Sequence, residues 1–330
     1  MVTYAQITAA SQRLQGMATR TPLLESDSLN QQLQGRVLFK VEALQRTGSF
    51  KFRGAYNKLS QLAQQGVNGV VAYSSGNHAQ GVALAASLFD MQATIIMPTD
   101  SPGIKIDNTR ALGGEVILYD RYTQSREDLG HALAQERNLT LVKPYDDEDI
   151  IAGQGTAGLE ASQQLQNLGL TPDQVIAPCG GGGLISGTAI AIHEHFPTAD
   201  IWAAEPQHYD DTIRSLAAGK HLSNATSPPS LCDAIVTPTP GELTFPIMQQ
   251  HLRGGFAVNE AQVLTAMAAC MQALKVVVEP GGCVGLAALL AGLLPTQDKT
   301  TLVVLSGGNA DPQILARALA DNHGISATQP

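Results

Sequence analysis

Apolar residues recur along this chain with helical spacing in some stretches and as short unbroken runs in others, and the two kinds of stretch alternate almost throughout. Residues 4–15 read as an amphipathic helix, and Thr21-Pro22 ends a short connection. Val37-Leu38-Phe39-Lys40-Val41 reads as a strand, and residues 53–65 as a helix. Gly69-Val70-Val71-Ala72-Tyr73 is a buried-strand run, followed by a small-residue helix over 79–88. The pattern then predicts a strand at 92–97, a helix at 104–113, a strand at 115–119, a helix at 124–136 and a strand at 140–143. A second series follows: helix 155–168, strand 174–178, helix 184–195 and strand 199–204. Helices near 211–219, 243–252, 259–274 and 282–293 precede a last strand, Thr301-Leu302-Val303-Val304-Leu305.

Strands separated by helices of this length imply an α/β fold with open, mostly parallel twisted sheets flanked by helices. A chain of 330 residues is long for one compact core, so two lobes are expected. The boundaries place residues 1–50 with 147–330 in a large lobe and 51–146 in a smaller lobe inserted in it.

The net charge of -9 argues against nucleic acid or an anionic membrane as the main partner. An anionic ligand would have to be held by local backbone dipoles instead of the overall field. Cys179, Cys232, Cys270 and Cys283 show no C-x-x-C spacing, which fits reduced thiols in a cytoplasmic protein. Met1 to Gln6 lacks a basic region followed by an apolar core, so no signal peptide is expected. No apolar run is long enough to span a bilayer.

One lysine stands out. In Thr47-Gly48-Ser49-Phe50-Lys51-Phe52-Arg53-Gly54 it lies between two aromatics, after a Gly-Ser turn and before a helical run. A partly desolvated ammonium loses its proton more readily, which suits a Schiff base with an aldehyde cofactor. An ordinary lysine at a helix start would look the same in isolation. Ser74-Ser75-Gly76-Asn77-His78 follows a buried strand and opens a helix, where open sheets place ligands and where Ser and Asn also serve as caps. Cys179-Gly180-Gly181-Gly182-Gly183-Leu184 occupies an equivalent junction, and its bare backbone N–H groups can nest a phosphate. It lacks the Gly-Lys-Ser/Thr of a nucleoside-triphosphate loop and the spacing of a dinucleotide fingerprint. Ser306-Gly307-Gly308-Asn309 ends the last strand, either as a plain turn or with a hydroxyl facing a ligand ring nitrogen. Glu205-Pro206-Gln207-His208-Tyr209-Asp210-Asp211 brackets a free carbonyl with carboxylates, which suits a hard cation or simply a helix cap. His193 and His195 are two apart on a helix and face different sides.

These stretches, with Pro144-Tyr145-Asp146-Asp147 and Ile151-Ala152-Gly153-Gln154-Gly155-Thr156, occur in an order that resembles the pyridoxal-phosphate enzymes of the threonine dehydratase and serine racemase group. The resemblance covers nearly the whole chain. It implies the fold of the tryptophan-synthase β-subunit, a catalytic domain alone, and a homodimer. It implies that Lys51 carries pyridoxal 5'-phosphate covalently, with Phe50 against its ring and Asn77 at the ring 3-oxygen. Gly180, Gly181, Gly182, Gly183 and Leu184 would cradle the phosphate, and Ser306 would face the ring nitrogen. Ser75 matches a second proton-transfer residue, and Ser74, Gly76 and His78 belong to the same substrate-side segment. Glu205, the Tyr209 carbonyl and Asp211 match the Mg²⁺ or Ca²⁺ site of metal-stimulated members.

Ser125-Arg126-Glu127 is similar to the segment by which serine racemases and hydroxyaspartate dehydratases present an arginine to substrate; a surface arginine opening a helix is the other reading. The activity implied is a threonine/serine ammonia-lyase giving a 2-keto acid and ammonia. Serine racemase or hydroxyaspartate dehydratase is the alternative. A non-catalytic sensor on the same fold is disfavoured by the retained Lys51.

Overall fold

The computed structural model describes residues 1–74, 76–120, 122–224 and 228–321. Helix α1 (Tyr4–Leu14) starts at a capping box in which Thr3 and Gln6 satisfy each other's end groups, and it buries Ile7, Ala10 and Leu14. Strand β1 (Leu23–Glu25), helix α2 (Asp27–Leu33) and strand β2 (Arg36–Val41) follow. The hydrophobic pattern misses β1 and α2. Three residues are too few to show alternation, and α2 offers only Leu29 and Leu33 to the core.

The middle of the chain runs α3 (Lys51–Gln64), β3 (Gly69–Tyr73), α4 (Asn77–Ser87), β4 (Gln92–Pro98) and α5 (Gly103–Ala111). It continues through β5 (Glu115–Tyr119), α6 (Arg126–Glu136) and β6 (Thr140–Leu141). Next come α7 (Glu148–Asn167), β7 (Gln174–Pro178), α8 (Gly183–His195), β8 (Asp200–Pro206) and α9 (Asp211–Ala218). The last part holds α10 (Thr244–His251), β9 (Gly254–Val258), α11 (Glu260–Ala269), α12 (Val284–Leu290), β10 (Thr300–Leu305) and α13 (Pro312–Asp321).

Two sheets result, ordered β1-β2-β10-β7-β8-β9 and β5-β4-β3-β6. Every pairing is parallel except β1 with β2. This is the α/β architecture of open, mostly parallel sheets that the alternating pattern predicts. The smaller sheet is made entirely from the segment between Gly69 and Leu141, whereas the larger draws on both ends of the chain.

Helix α7 starts at Glu148, well before the predicted 155, because Asp147 accepts from the backbone N–H groups of Asp149 and Ile150 as its N-cap. Its glycines are not breakers. A methyl on Gly155 would lie 2.9 Å from the Gly187 Cα, and one on Gly158 2.7 Å from the Thr188 Cα, so α7 and α8 pack backbone against backbone. The helix predicted over 259–274 ends as α at Ala269, continues through a π turn (Cys270–Leu274), and stops where Lys275 adopts φ 60°. Strand β9 escapes prediction because glycines occupy its first two positions.

A buried ion cluster joins the first turn of α3 to the large sheet. Arg53 donates to Glu42 at 2.7 and 2.8 Å and to Glu160 at 2.8 Å twice, while Lys40 reaches Glu160 at 2.8 Å. Two cations meet two carboxylates, so the cluster is neutral. Burial alone would depress the Arg53 guanidinium, but Glu42 and Glu160 outweigh it and hold it above its ordinary range.

Candidate active site

Strand ends and helix starts of both sheets converge on one cleft. It is lined by Phe50, Lys51, Ser74, Gly76, Asn77, His78, Arg126, Gly180, Gly181, Gly182, Gly183, Leu184 and Ser306. All the predicted cofactor- and substrate-side residues among those described are therefore brought together, although they come from positions as far apart as 50 and 306. Ser75 lies outside the described residues.

Lys51 is the first residue of α3, and its amine donates to the Pro144 carbonyl at 2.8 Å. The nitrogen lies 5.1 Å from the Phe50 ring centroid. Desolvation lowers its pKa to about 7, against a smaller opposing pull from Glu279. Its position against β10 is fixed by the backbone: Ser49 bridges Gly307, and the Phe50 N–H donates to the Ser306 carbonyl at 3.1 Å. The Lys51 turn and Ser306 are thus held side by side.

Asn77 opens α4 and donates to Glu279 at 2.5 Å, while its carbonyl oxygen accepts from Asn309 at 2.8 Å. His78 is buried, bonds the Val142 carbonyl through Nε2 at 3.1 Å, and is pushed down to about 3, first by burial and then by the Lys51 charge. It is neutral, with Nε2 carrying the proton because its partner is a carbonyl. The tetraglycine leaves β7 and starts α8, with Gly182 at φ 93°. A methyl on Gly181 would sit 2.3 Å from the Tyr145 ring. Only glycine allows both that turn and that approach.

Arg126 faces the cleft. Its guanidinium sits 5.2 Å from the Tyr73 ring centroid and bonds Glu127 at 2.7 Å. Tyr73, Tyr119 and Tyr145 line the same wall, and burial raises the Tyr145 hydroxyl to about 12. Arg126 both opens α6, as one sequence reading has it, and lines the cleft.

Three residues of the site carry no sequence expectation. Glu279 is buried, and desolvation raises it to about 7 despite Lys105 nearby. Lys105, from the small-sheet segment, pairs with Asp233 at 2.7 Å and lies 3.8 Å from Glu279. A carboxylate ending the apolar run Val276-Val277-Val278 is the one signal that points to Glu279; Lys105 and Asp233 have none.

The predicted cation residues lie apart from this cleft, at the start of α9. Glu205 accepts from the Thr212 and Ile213 N–H groups at 3.2 and 2.8 Å, and Asp211 accepts from Asn224 at 2.6 Å. Burial, then the neighbouring Asp211, raises Glu205 well above the carboxylate range, and burial raises Asp211 to about 7. Asp211 Oδ2 is buried without a hydrogen-bond partner. Among the described residues no group of three or more His, Cys, Asp or Glu side chains could hold a metal ion.

A desolvated lysine amine, a glycine turn that bares its N–H groups and an aromatic wall fit a phosphorylated aldehyde, and with this fold they define a cofactor-dependent enzyme. The chain belongs to the pyridoxal-phosphate dependent enzyme family, whose model matches residues 14–307. It is 41% identical to the L-threo-3-hydroxyaspartate ammonia-lyase of Pseudomonas sp, over 96% of this chain and 98% of that one. It is 36% identical to the serine racemase of Schizosaccharomyces pombe, over 96% and 97%. The solved threonine deaminase of T.th. superposes with a TM-score of 0.87 at 42% identity, covering 94% of this chain and 99% of that one. The protein is a pyridoxal-phosphate enzyme of the fold that these relatives share. No helix among the described residues is long and apolar enough to cross a membrane.

Proposed function

We propose that the protein is a 3-hydroxy-amino-acid ammonia-lyase, converting its substrate to a 2-keto acid and ammonia. The observation that carries this is Lys51: an amine with a pKa of about 7, facing a cleft shared with the glycine turn and Ser306. Pyridoxal phosphate, when bound, supplies an electron sink for the α-carbanion. Lys51 would hold that cofactor, and its amine, with a pKa of about 7, would serve as the base for the α-proton. Gly180 to Leu184 would present N–H groups to the phosphate, and Phe50 would lie against the ring. Asn77, its side chain fixed by Glu279 and Asn309, would orient the 3-oxygen. Ser306 would face the ring nitrogen with a hydroxyl, which would not hold a proton there as a carboxylate would. Ser74, Gly76 and the α4 N-terminus receive the substrate carboxylate. Neutral His78 lines the same substrate side of the cleft, and Ser75 would serve as a second proton donor.

Arg126 favours a particular substrate. A guanidinium in a tyrosine-lined wall suits a second carboxylate on the side chain, which threonine and serine lack. We therefore place 3-hydroxyaspartate ahead of L-threonine and L-serine, with serine racemisation as a side activity. The test is keto-acid release from L-serine, L-threonine and both hydroxyaspartates, with Arg126→Leu alongside. The variant should lose at least roughly tenfold in kcat/KM on hydroxyaspartate, the scale of one charged hydrogen bond, and little on L-serine. Equal losses on both would return the preference to threonine and serine.

We also propose that Mg²⁺ or Ca²⁺ binds at Glu205, the Tyr209 carbonyl and Asp211, supported by two carboxylates that burial raises and by the buried Asp211 Oδ2 without a hydrogen-bond partner. Lobes divided at 50 and 146 are supported by the residues each sheet draws on. A homodimer is part of the same proposal, and half-exposed apolar Leu44 and Val277 are residues it would cover. Four buried free thiols fit the cytoplasm.

A further inference from the structure

Gln154 has a side chain with one determined end and one unsatisfied end. It lies on α7, fully buried, and its amide nitrogen donates to the Pro144 carbonyl at 3.2 Å, the same oxygen that receives the Lys51 amine at 2.8 Å. A carbonyl can only accept, so the nitrogen must face Pro144 and the oxygen must face away. That oxygen, Oε1, is buried without a hydrogen-bond partner. It faces the glycine turn: a methyl built on Gly183 would meet it at 2.4 Å.

The side chains nearest to methyls on the turn's four glycines come from Ile235, Tyr145, Met248, Thr244 and Gln154, and none is a cation. The α8 N-terminus adds about half an elementary charge. A phosphate dianion there would be under-compensated and would also meet a carbonyl oxygen that offers it no proton. A singly protonated phosphate has one charge fewer and supplies the O–H that Oε1 lacks.

We propose that Gln154 is a cofactor-binding residue whose side-chain oxygen accepts a hydrogen bond from the phosphate, so that the turn selects the singly protonated form. The proposal rests on the reading that Gly180 to Gly183 cradle the phosphate. A buried acceptor with no donor is costly unless something satisfies it, and the cradle is where a donor arrives. Because Gln154 and Lys51 share the Pro144 carbonyl, the same side chain ties the phosphate end of the site to the amine.

The test is ³¹P NMR of the holoenzyme across a pH titration. A free phosphate monoester loses its second proton near about pH 6. In the wild type the bound phosphorus should titrate at least about one unit higher, and in Gln154→Met, which keeps the length but lacks the acceptor, the midpoint should fall back by a similar amount. Gln154→Glu serves as the second variant and should weaken pyridoxal-phosphate affinity by at least about tenfold, since an ionised carboxylate then faces the anion. A dianion-like signal that ignores pH from about 6 to 8 in both wild type and Gln154→Met would overturn the proposal. The cradle reading fails separately: it falls if Gly181→Ala, whose methyl meets the Tyr145 ring, binds pyridoxal phosphate as tightly as the wild type.

Discussion

Replacing Lys51 by methionine is expected to stabilise the cofactor-free protein near neutral pH and to lose that advantage in alkali. Desolvation takes the Lys51 pKa in the fold down from 10.5 to about 7. The unfolded chain keeps the ordinary value, so between those two values it binds more protons than the folded chain. Stability therefore rises with pH across that window. One unit corresponds to about 1.4 kcal/mol, so the full shift is on the order of 5 kcal/mol as an upper bound. Water in the cleft reduces it, and methionine forfeits the bond to Pro144, worth about 1 kcal/mol. A net gain of about 1–3 kcal/mol at about pH 7.5 follows, shrinking towards zero or below near the unfolded pKa. Urea unfolding of both proteins without cofactor, followed by the single tryptophan, Trp202, reads the difference directly. A difference that stays constant between about pH 7.5 and 10, or a variant less stable throughout, would show that the amine is not desolvated as described.

Arg53→Met should cost about 3–5 kcal/mol, because buried Glu42 and largely buried Glu160 then keep Lys40 as their only cation among the described residues; a loss below about 1 kcal/mol in urea would mean the cluster is solvated. If a divalent cation occupies the α9 site, a chelator should lower the melting temperature of the wild type and leave Asp211→Ala unaffected. No effect of either perturbation would leave those carboxylates as helix caps. Ser75→Ala should keep most keto-acid formation from the L-substrate while losing interconversion of D- and L-serine by roughly a hundredfold or more, since racemisation needs a donor on each face. Equal losses in a chiral assay of both activities would give Ser75 a positioning role.

What the sequence made legible was whatever rests on local spacing. The strand-then-helix junctions at Ser74 and Gly180 declare themselves by a buried run that ends in small polar or glycine residues, and both line the cleft. Glu279 and Lys105 do not, because their roles depend on which segments meet. Lys105 is one charge on an ordinary helix until the fold brings Asp233 to 2.7 Å of it. Strand β9 is similarly invisible: its glycines suit a strand only because the Trp202 segment lies alongside, with Gly254 in register opposite Trp202. The length of α7 was obscured by the opposite effect. Its glycines read as interruptions in one dimension and as the contact surface for α8 in three.

Two basic residues two positions apart on α3 show how the fold separates stability from reactivity. Arg53 receives both Glu42 and Glu160, and the pairing raises its affinity for the proton against the cost of burial. Lys51 is half-buried in the cleft wall with no carboxylate in hydrogen-bond contact among the described residues; its amine donates to the neutral Pro144 carbonyl, and desolvation lowers its pKa. The helix supplies the reason that both outcomes coexist. Successive residues there project about 100° apart, so positions 51 and 53 face different surroundings, one the cleft and the other the layer between α7 and the large sheet. Had Glu279 been close enough to pair with Lys51, the amine would be held charged near neutral pH and could not act as a base. Instead the Glu279 carboxylate accepts from the Asn77 amide at 2.5 Å, and Lys105 stands on its other side. The charge nearest the reactive amine thereby orients a neighbour, which leaves Lys51 free to exchange a proton at neutral pH.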